Sequence, residues 1–482
     1  MTTPNDRRRI VRMTGVDAGF LYMETPTTHM HTLKIAIVEA SSGMTYDRLV
    51  AGTLARLDRL PPMRRRIVPI PGALNHPVMI TQRKIDPTRH FFHHQVGGGG
   101  SMADLEQLIG EIASVPLDRS VPLWEIHLCE GLATGETAVV CKLHHALADG
   151  IAANALLANV MDLSSSEIRR AVFTDTEEGQ DLPDRGFLMR GAVRDAARQA
   201  PSLLGLVRRT VAALFGVVKL RRSSTSKVPM PIKDAPRVSF NGPLTARRSF
   251  ATVSLPLASL KDVRSAHAAD CEATLNDVVL AVISGALRRW LEHQGEHPRA
   301  SLTAGVPVGL DPRDSDPRLF GNNVSNMFTT LATDIDDPVE RLRTIAETTR
   351  AAKAISAQLG SSFGDWSQFA MPGPFAAFMR AYTRLRGARL HPAPFSVIAS
   401  NVPGPRERVK VGGAMFSDVF SVGPLIEGVG LNVTVWSYID RMNFSLLACP
   451  DLLPDVYVLA GFFPAALAEL MPGEHHDSRE SA

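Results

Sequence analysis

The chain has 482 residues, of which 45% are hydrophobic and 21% are charged, and its formal net charge is +3. This length exceeds what one hydrophobic core usually supports, so two packed domains with a crevice between them are expected. The apolar content excludes a disordered chain. Because the charge is nearly balanced and no aromatic-interleaved basic stripe appears, we predict no nucleic-acid partner.

The cysteines and the N-terminus indicate where the protein works. The four cysteines are widely scattered and show neither the paired spacing of a zinc site nor a disulfide framework, which fits a reducing cytoplasm. The basic N-terminal segment has no apolar run long enough for a secretory signal, and no uncharged stretch of about 18 residues occurs. We therefore predict a cytoplasmic protein that neither is exported nor spans a membrane.

The first elements alternate between strand and helix. In chain order they are a strand over 33–39, a helix over 46–57, a strand over 136–143 and a helix that begins at Gly150. The strand over 136–143 is apolar and β-branched and stops abruptly at His144 and His145. The two histidines are therefore predicted to lie in the loop where a strand gives way to a helix.

The stretch from about 164 to 242 is basic and apolar, unlike its flanks, and is predicted to cross over between two halves. A second series of elements follows: strand 248–255, helix 276–294, strand 302–308, helix 338–358, and strands 396–402 and 429–440. We predict an α/β protein with a first domain over 1–165, a linker over 166–242 and a second domain over 243–482.

The paired histidines can supply a general base. Histidine is largely neutral at pH 7, and a positioned base contributes about 10²- to 10⁴-fold to the rate of a proton transfer. Asp149 can cap the following helix or pair with an arginine, and Gly150 lets the chain turn. Two alternatives stay open on the bare residues: the histidines are packed polar groups, or His144, His145 and Asp149 are metal ligands.

A family resemblance narrows these alternatives. The segment HHALADG (144–150) resembles the HHxxxDG signature of the superfamily that includes chloramphenicol acetyltransferase and peptide condensation domains. Further segments are similar to the bacterial wax ester synthase/diacylglycerol acyltransferase family. These segments are VDAGFLYMETPTTHMH (16–31), PLWEIHLCEGL (122–132), LNDVVLAVISGALRRWL (275–291), VPVGLDPR (306–313), GNNVSNM (321–327) and SNVPGP (400–405).

The resemblance implies a fold and a function. The fold is two chloramphenicol acetyltransferase-like domains, each a mixed sheet flanked by helices, with a substrate tunnel between them. The function is transfer of a long acyl chain from acyl-CoA to diacylglycerol or a long-chain alcohol, with no metal and no cofactor beyond acyl-CoA as co-substrate. Two alternatives stay open. One is an acyltransferase of the same fold that uses a carrier-protein thioester or a polyketide alcohol. The other is a non-catalytic protein that binds membranes or lipid droplets.

The resemblance also implies roles for individual residues. His145 is the base, His144 is mainly structural, and Asp149 and Gly150 keep the loop in shape. Asn276 lines the active site, where its amide can stabilise the developing oxyanion; its other interpretation is a helix cap.

Three further residues are placed near substrate by the resemblance. They are Glu24, Ser400 and Asn401. Glu24 corresponds to an acidic residue near the family's catalytic histidine, or is otherwise a surface carboxylate. Gly309 stands where the family commonly has serine. Finally, the basic and apolar crossover is predicted to hold the protein at the inner face of a membrane or at a lipid droplet, or else to pack on the protein.

Overall fold

The computed structural model describes residues 10–162, 180–224, 226–269, 271–312, 316, 318–360 and 362–472. Its strands are β1 Val11–Arg12, β2 His31–Val38, β3 Arg65–Val68, β4 Val78–Thr81, β5 Phe91–Gln95, β6 Trp124–Glu130, β7 Thr137–His144, β8 Ser249–Pro256, β9 Thr303–Gly309, β10 Val324–Thr330, β11 Val397–Val402, β12 Lys410–Val411, β13 Ala414–Val422, β14 Leu431–Tyr438 and β15 Arg441–Ala448.

The helices flank two large sheets. They are α1 Gly15–Met23, α2 Tyr46–Leu54, α3 Met102–Ser114, α4 Gly150–Val160, α5 Arg185–Gln199, α6 Ser202–Ser223, α7 Leu257–Ala266, α8 Leu275–His293, α9 Pro338–Leu359, α10 Ser362–Ser367, α11 Pro372–Arg384, α12 Val456–Gly461 and α13 Phe463–Ala468. None of the helices in this described part of the chain combines the length and the apolar character needed to cross a membrane.

The first large sheet has the strand order β12-β13-β2-β7-β6-β5 and is antiparallel except between β5 and β6. Strand β7 alternates between fully buried and half-buried residues over most of its length, as expected of a strand whose two faces meet different surroundings. It pairs with β2 so that His31 lies opposite His144. The last residue of β7 is thus held in the middle of the sheet.

The second large sheet has the order β10-β9-β11-β14-β15-β8, with β11 parallel to both of its neighbours. Helix α8 packs against it and is buried almost all round from Asp277 to Leu287. A helix that is apolar on every side belongs in a core. The apolar cluster around α8 is the core of this second half.

The two halves share strands. Strands β12 and β13 come from the C-terminal part of the chain, yet β13 pairs with β2 in the first sheet. After β13 the chain returns to β14 in the second sheet. A stretch of the C-terminal half therefore fastens the two sheets together.

The predicted α/β class is confirmed, with mixed sheets in both halves. The crossover contains two long helices, α5 and α6. The predicted boundary at 165/166 and the first part of the predicted linker lie outside the described residues. The domain limits stay predictions, and strand β13 shows that the C-terminal segment contributes to both sheets.

Candidate active site

The histidine loop joins β7 to α4 and is held by backbone bonds from neighbouring segments. The amide of His144 donates to the carbonyl of Leu123 (3.0 Å), and the amide of His145 donates to the carbonyl of Met30 (2.7 Å). Leu123 precedes β6 and Met30 precedes β2, the two strands that flank β7. Both neighbours of β7 therefore fix the point at which the histidines leave the sheet.

His144 is a buried, fully engaged side chain with 1% exposure. The amide of Ala146 donates to its Nδ1 (3.0 Å), so its proton lies on Nε2, which donates to Glu24 (3.3 Å). Glu24 also pairs with Arg119, whose Nε donates at 2.8 Å. Burial alone would raise the pKa of Glu24, but the bond from His144 and the neighbouring positive charge outweigh it and lower that pKa. Neither ring nitrogen of His144 is left for a substrate.

His145 is partly exposed and differs from His144 in its contacts. Its Nδ1 lies 2.9 Å from Oδ1 of Asn322, and Phe20 stacks on its ring at 4.3 Å between centroids. Nε2 has no protein partner among the residues described. Burial lowers the pKa of His145 to about 4, against the opposing influence of the Asp149 charge. The ring is therefore neutral at pH 7.

The partners of Asn322 fix which nitrogen of His145 carries the proton. Nδ2 of Asn322 donates to Oδ1 of Asp17 and to the carbonyl of His145, both at 2.8 Å. Because an amide nitrogen only donates, Oδ1 of Asn322 must accept, so Nδ1 of His145 bears the hydrogen. The lone pair then lies on Nε2. Asp17 is 5% exposed, and burial raises the pKa of its carboxyl against these hydrogen bonds.

Asp149 performs both of the structural roles that the sequence suggests. Its Oδ1 accepts from the amide of Ala152 and caps α4 (2.9 Å). Its Oδ2 accepts from Arg318 (2.6 Å) and from the amide of Asn323 (2.9 Å). The carboxylate is buried, so this ion pair joins the histidine loop to the segment before β10.

The three side chains considered as metal ligands are each engaged elsewhere. His144 bonds Glu24, His145 bonds Asn322 and Asp149 bonds Arg318. Over the described ranges, no three histidine, cysteine, aspartate or glutamate side chains are grouped as metal ligands would be.

The glycine at the start of α4 lies against the second half. A Cβ on Gly150 would come within 3.3 Å of Val402, at the end of β11. The side chain of Asn154, one turn further on, donates to the carbonyl of Pro403 (2.6 Å). The segment 400–405 therefore packs on the first turn of α4.

Asn276 and Asn401 are brought together, and the contacts of Asn276 link it to Asn401 rather than to His145. Nδ2 of Asn401 lies 3.4 Å from Oδ1 of Asn276. Thr274 caps α8, so the interpretation of Asn276 as the helix cap is wrong. Ser400 lies in β11 opposite Thr434. The roles of Asn276, Ser400 and Asn401 stay predictions.

The glycine in place of serine has a steric counterpart. A Cβ on Gly309 would lie 2.2 Å from Cδ1 of Ile151, the second residue of α4. Ile151 occupies the space that a serine side chain would need. The end of β9 and the first turn of α4 are thus fitted to each other.

Asn322, Asp17 and Arg318 are missing from the predicted site. Asn322 and Asp17 lie within the segments that carry the resemblance, but nothing in their local pattern distinguishes a histidine partner from an ordinary polar residue. Asp17 precedes His145 by more than a hundred residues, and Asn322 is separated from it by 177. Only the packing of the two halves brings Asp17 and Asn322 to His145.

The chain is similar to known proteins over most of its length. Residues 13–279 match a family model described as the wax ester synthase/diacylglycerol acyltransferase catalytic domain, and residues 320–471 match its C-terminal domain. Two proteins of Mycobacterium tuberculosis strain H37Rv, provisionally named diacylglycerol O-acyltransferases, are similar over most of their length. One is 36% identical over 93% of this chain and 94% of its own, and the other is 33% identical over 95% and 90%.

Two solved structures resemble the chain. The wax ester synthase/diacylglycerol acyltransferase from Marinobacter aquaeolei VT8 has a TM-score of 0.63 at 25% identity and covers 95% of this chain and 98% of its own. The first condensation domain of the CDA synthetase has a TM-score of 0.57 at 14% identity, with 96% and 97% covered. The second likeness concerns the fold alone, and together the two confirm the predicted fold.

Proposed function

This chain belongs to the wax ester synthase/diacylglycerol acyltransferase family and is an O-acyltransferase, and from that premise we propose that it transfers a long acyl chain from coenzyme A to diacylglycerol. The observation that carries the proposal is that Nε2 of His145 has no partner in the described part of the chain, while Nδ1 is bound to Asn322. Long-chain alcohols are the second acceptor class, which would give wax esters.

The proposed reaction is direct transfer with one base. Nε2 of His145 takes the proton of the acceptor hydroxyl as its oxygen attacks the thioester carbon. The tetrahedral intermediate collapses, the carbon–sulfur bond breaks, and the protonated His145 returns the proton to the thiolate of coenzyme A. No covalent acyl-enzyme forms, and the oxygen of Asn322 faces the ring that becomes positive. Asn276 is proposed to donate to the oxyanion through the amide hydrogens that its contact with Asn401 leaves unused.

A neutral cavity suits the acceptor. It has a volume of about 350 Å³ and is lined by Asn322, by Thr14 and by Leu206 and Arg209 of α6. Arg209 forms an ion pair with Asp365 on the same wall, so the two charges cancel and add no net charge to the cavity. We place the glycerol end of diacylglycerol here, with its chains toward α6. The tunnel between the halves stays a prediction.

Replacing His145 tests the reaction. His145→Ala should lower transfer from palmitoyl-CoA to diolein at least about 10²-fold while the thermal unfolding midpoint stays close to that of the wild type. His93→Ala, which changes an exposed histidine on β5, is the matched control and should keep full activity. Retained transfer in His145→Ala would refute the proposal. Activity only with acyl-carrier protein would contradict coenzyme A as the donor, and activity only with short alcohols would contradict diacylglycerol as the acceptor.

Helix α6 gives the proposed membrane contact. It exposes an apolar stripe at helical spacing. The residues of this stripe are Leu204, Val207, Val211, Leu214, Phe215 and Val218. The opposite side of the helix is buried at Leu206 and Ala213, which dock it on the protein. A helix that is apolar on both sides needs a second apolar environment.

Basic residues flank this stripe. Arg208, Lys219 and Arg222 each follow a stripe residue by one turn and are exposed. Cationic side chains beside an apolar stripe are the pattern of helices that lie in an anionic membrane interface. We therefore propose that α6 holds the protein at the inner membrane face or at a lipid droplet, next to the acceptor cavity.

Vesicle sedimentation tests this contact. Leu204 and Phe215 are 71% and 73% exposed, so replacing both with aspartate should preserve the fold but abolish binding to vesicles containing phosphatidylglycerol. The matched control replaces Leu385 and Leu390, which are 77% and 82% exposed elsewhere on the surface. Equal loss in both double variants, or no binding by the wild type, would refute the assignment to α6.

A further inference from the structure

A second cavity, of about 450 Å³, lies in the C-terminal half and has a basic wall. Its lining includes Arg237, Arg386, Arg389 and His391. The three arginines are exposed, and none of them has an ion pair with any residue that the structure describes. Asp451 is the carboxylate on the wall, and it is bound by Arg247 (3.3 Å) and by the hydroxyl of Thr245.

A buried guanidinium adds to the positive charge of this cavity. Arg248 is 6% exposed and donates to the carbonyls of Thr245 and Thr27, the latter at 2.7 Å. It has no carboxylate within ion-pair distance among the described residues. Since Thr245 lines the cavity, the charge of Arg248 lies directly behind the wall. The nearby Glu427 carboxylate offsets part of this charge, and an anionic ligand would offset more of it.

The cavity lies one loop away from His145. Gly428 lines it, and the neighbouring Glu427 accepts from the hydroxyl of Thr28 (3.2 Å). Met30, whose carbonyl accepts from the amide of His145, is two residues further, at most about 7 Å along an extended chain. The separation between this cavity and the base is therefore within the span of a flexible arm of pantetheine length.

We infer that this cavity holds the phosphate-bearing nucleotide end of acyl-CoA, an inference that rests on the proposed transfer. Arginine forks match phosphate oxygens in pairs, and a phosphate monoester such as the 3′-phosphate of coenzyme A carries about −1.5 to −2 charge at pH 7. The volume suits the nucleotide and not the whole thioester. The pantetheine arm then runs from the side of Thr28 toward His145.

The test compares two thioesters that differ only in the nucleotide. Arg386→Glu/Arg389→Glu should raise the KM for palmitoyl-CoA about 10- to 10²-fold with little change in kcat, since it removes charged contacts. The KM for palmitoyl-N-acetylcysteamine, which lacks phosphates, should stay the same. Arg380→Glu/Arg384→Glu is the matched control, because it changes the net charge equally on exposed α11 positions outside the cavity. An equal rise in the control, or for both thioesters, would overturn the inference.

Direct binding separates this inference from the proposed reaction. In calorimetry, 3′,5′-ADP should bind the wild-type protein and lose at least about 10-fold in affinity in Arg386→Glu/Arg389→Glu, whether or not any acyl transfer is measured. Inorganic phosphate that binds as tightly as 3′,5′-ADP would mean a general anion site. Loss of binding to phosphatidylglycerol vesicles with an unchanged KM for palmitoyl-CoA would mean a lipid headgroup site. Either result overturns the inference.

Discussion

Replacing Asn322 with leucine tests how the base is prepared for catalysis. In the wild type, moving the proton of His145 from Nδ1 to Nε2 would require the Asn322 amide to turn over. Turning over breaks its bond to the Asp17 carboxylate, about 1.5–3 kcal/mol, and its neutral bond to the His145 carbonyl, about 0.5–1.5 kcal/mol. Together, these two bonds favour the form of His145 with its proton on Nδ1 by about 2–4.5 kcal/mol.

Leucine removes this preference together with the oxygen that faces the positive ring. A hydrogen bond to a charged group is worth about 1.5–3 kcal/mol, so kcat should fall about 10- to 10²-fold. KM should change little, because Asn322 acts through His145. This loss is smaller than that expected for His145→Ala, since the base is still present.

Two measurements check the effect. Steady-state kinetics with palmitoyl-CoA and diolein give kcat, and ¹⁵N spectra of histidine-labelled protein give the proton position on His145. The chain has 15 histidines, so the signal is identified by its absence in His145→Gln. Gln294→Leu is the matched control, because it removes an exposed amide that contacts the ring of His293 (3.2 Å) and not that of His145. The reasoning is refuted if Asn322→Leu keeps kcat within about 3-fold, or if its proton position matches the wild type.

Three further outcomes follow from the same contacts. Because burial lowers the pKa of His145 to about 4, the base is neutral above that value. Thus kcat/KM should stay level from pH 5 to 8 and fall only as the pH drops through about 4; an acid limb near 6.5 would contradict this. Arg318→Met leaves buried Asp149 without its cation and should lower the free energy of unfolding by about 3 kcal/mol, measured by urea denaturation. Gly309→Ser should lower kcat/KM several-fold by displacing Ile151, and adding Ile151→Val, which removes only Cδ1, should restore most of it.

Local sequence patterns predict the elements that carry the histidines. The apolar run ending at His144 predicts β7, and Asp149 with Gly150 predicts the start of α4, because strand periodicity and helix capping are decided by neighbouring residues. The same reasoning predicts α8 and α9. It does not predict that β13 joins the first sheet, since the choice of partner strand depends on distant residues.

The residue roles divide in the same way. That Asp149 caps a helix follows from its position, whereas its bond to Arg318 across 169 positions does not. The local pattern offers Asn276 as a helix cap, yet Thr274 forms the capping box with Asp277. The sequence does contain the signal for this box, because Asp277 follows Thr274 by three positions.

The contacts of His145 make the base depend on both halves of the chain. The histidine leaves the first sheet, while Asn322 arrives from the segment before β10 of the second. Gly321 has a φ of +80°, and its backbone bonds Leu147 (2.6 Å) and Asp149 (3.2 Å). A side chain at Gly321 would be strained by that φ and would reach within 3.3 Å of Asp17. Moving the halves apart would break these bonds together. The proton is therefore held on Nδ1 only while the two halves stay in contact around the base.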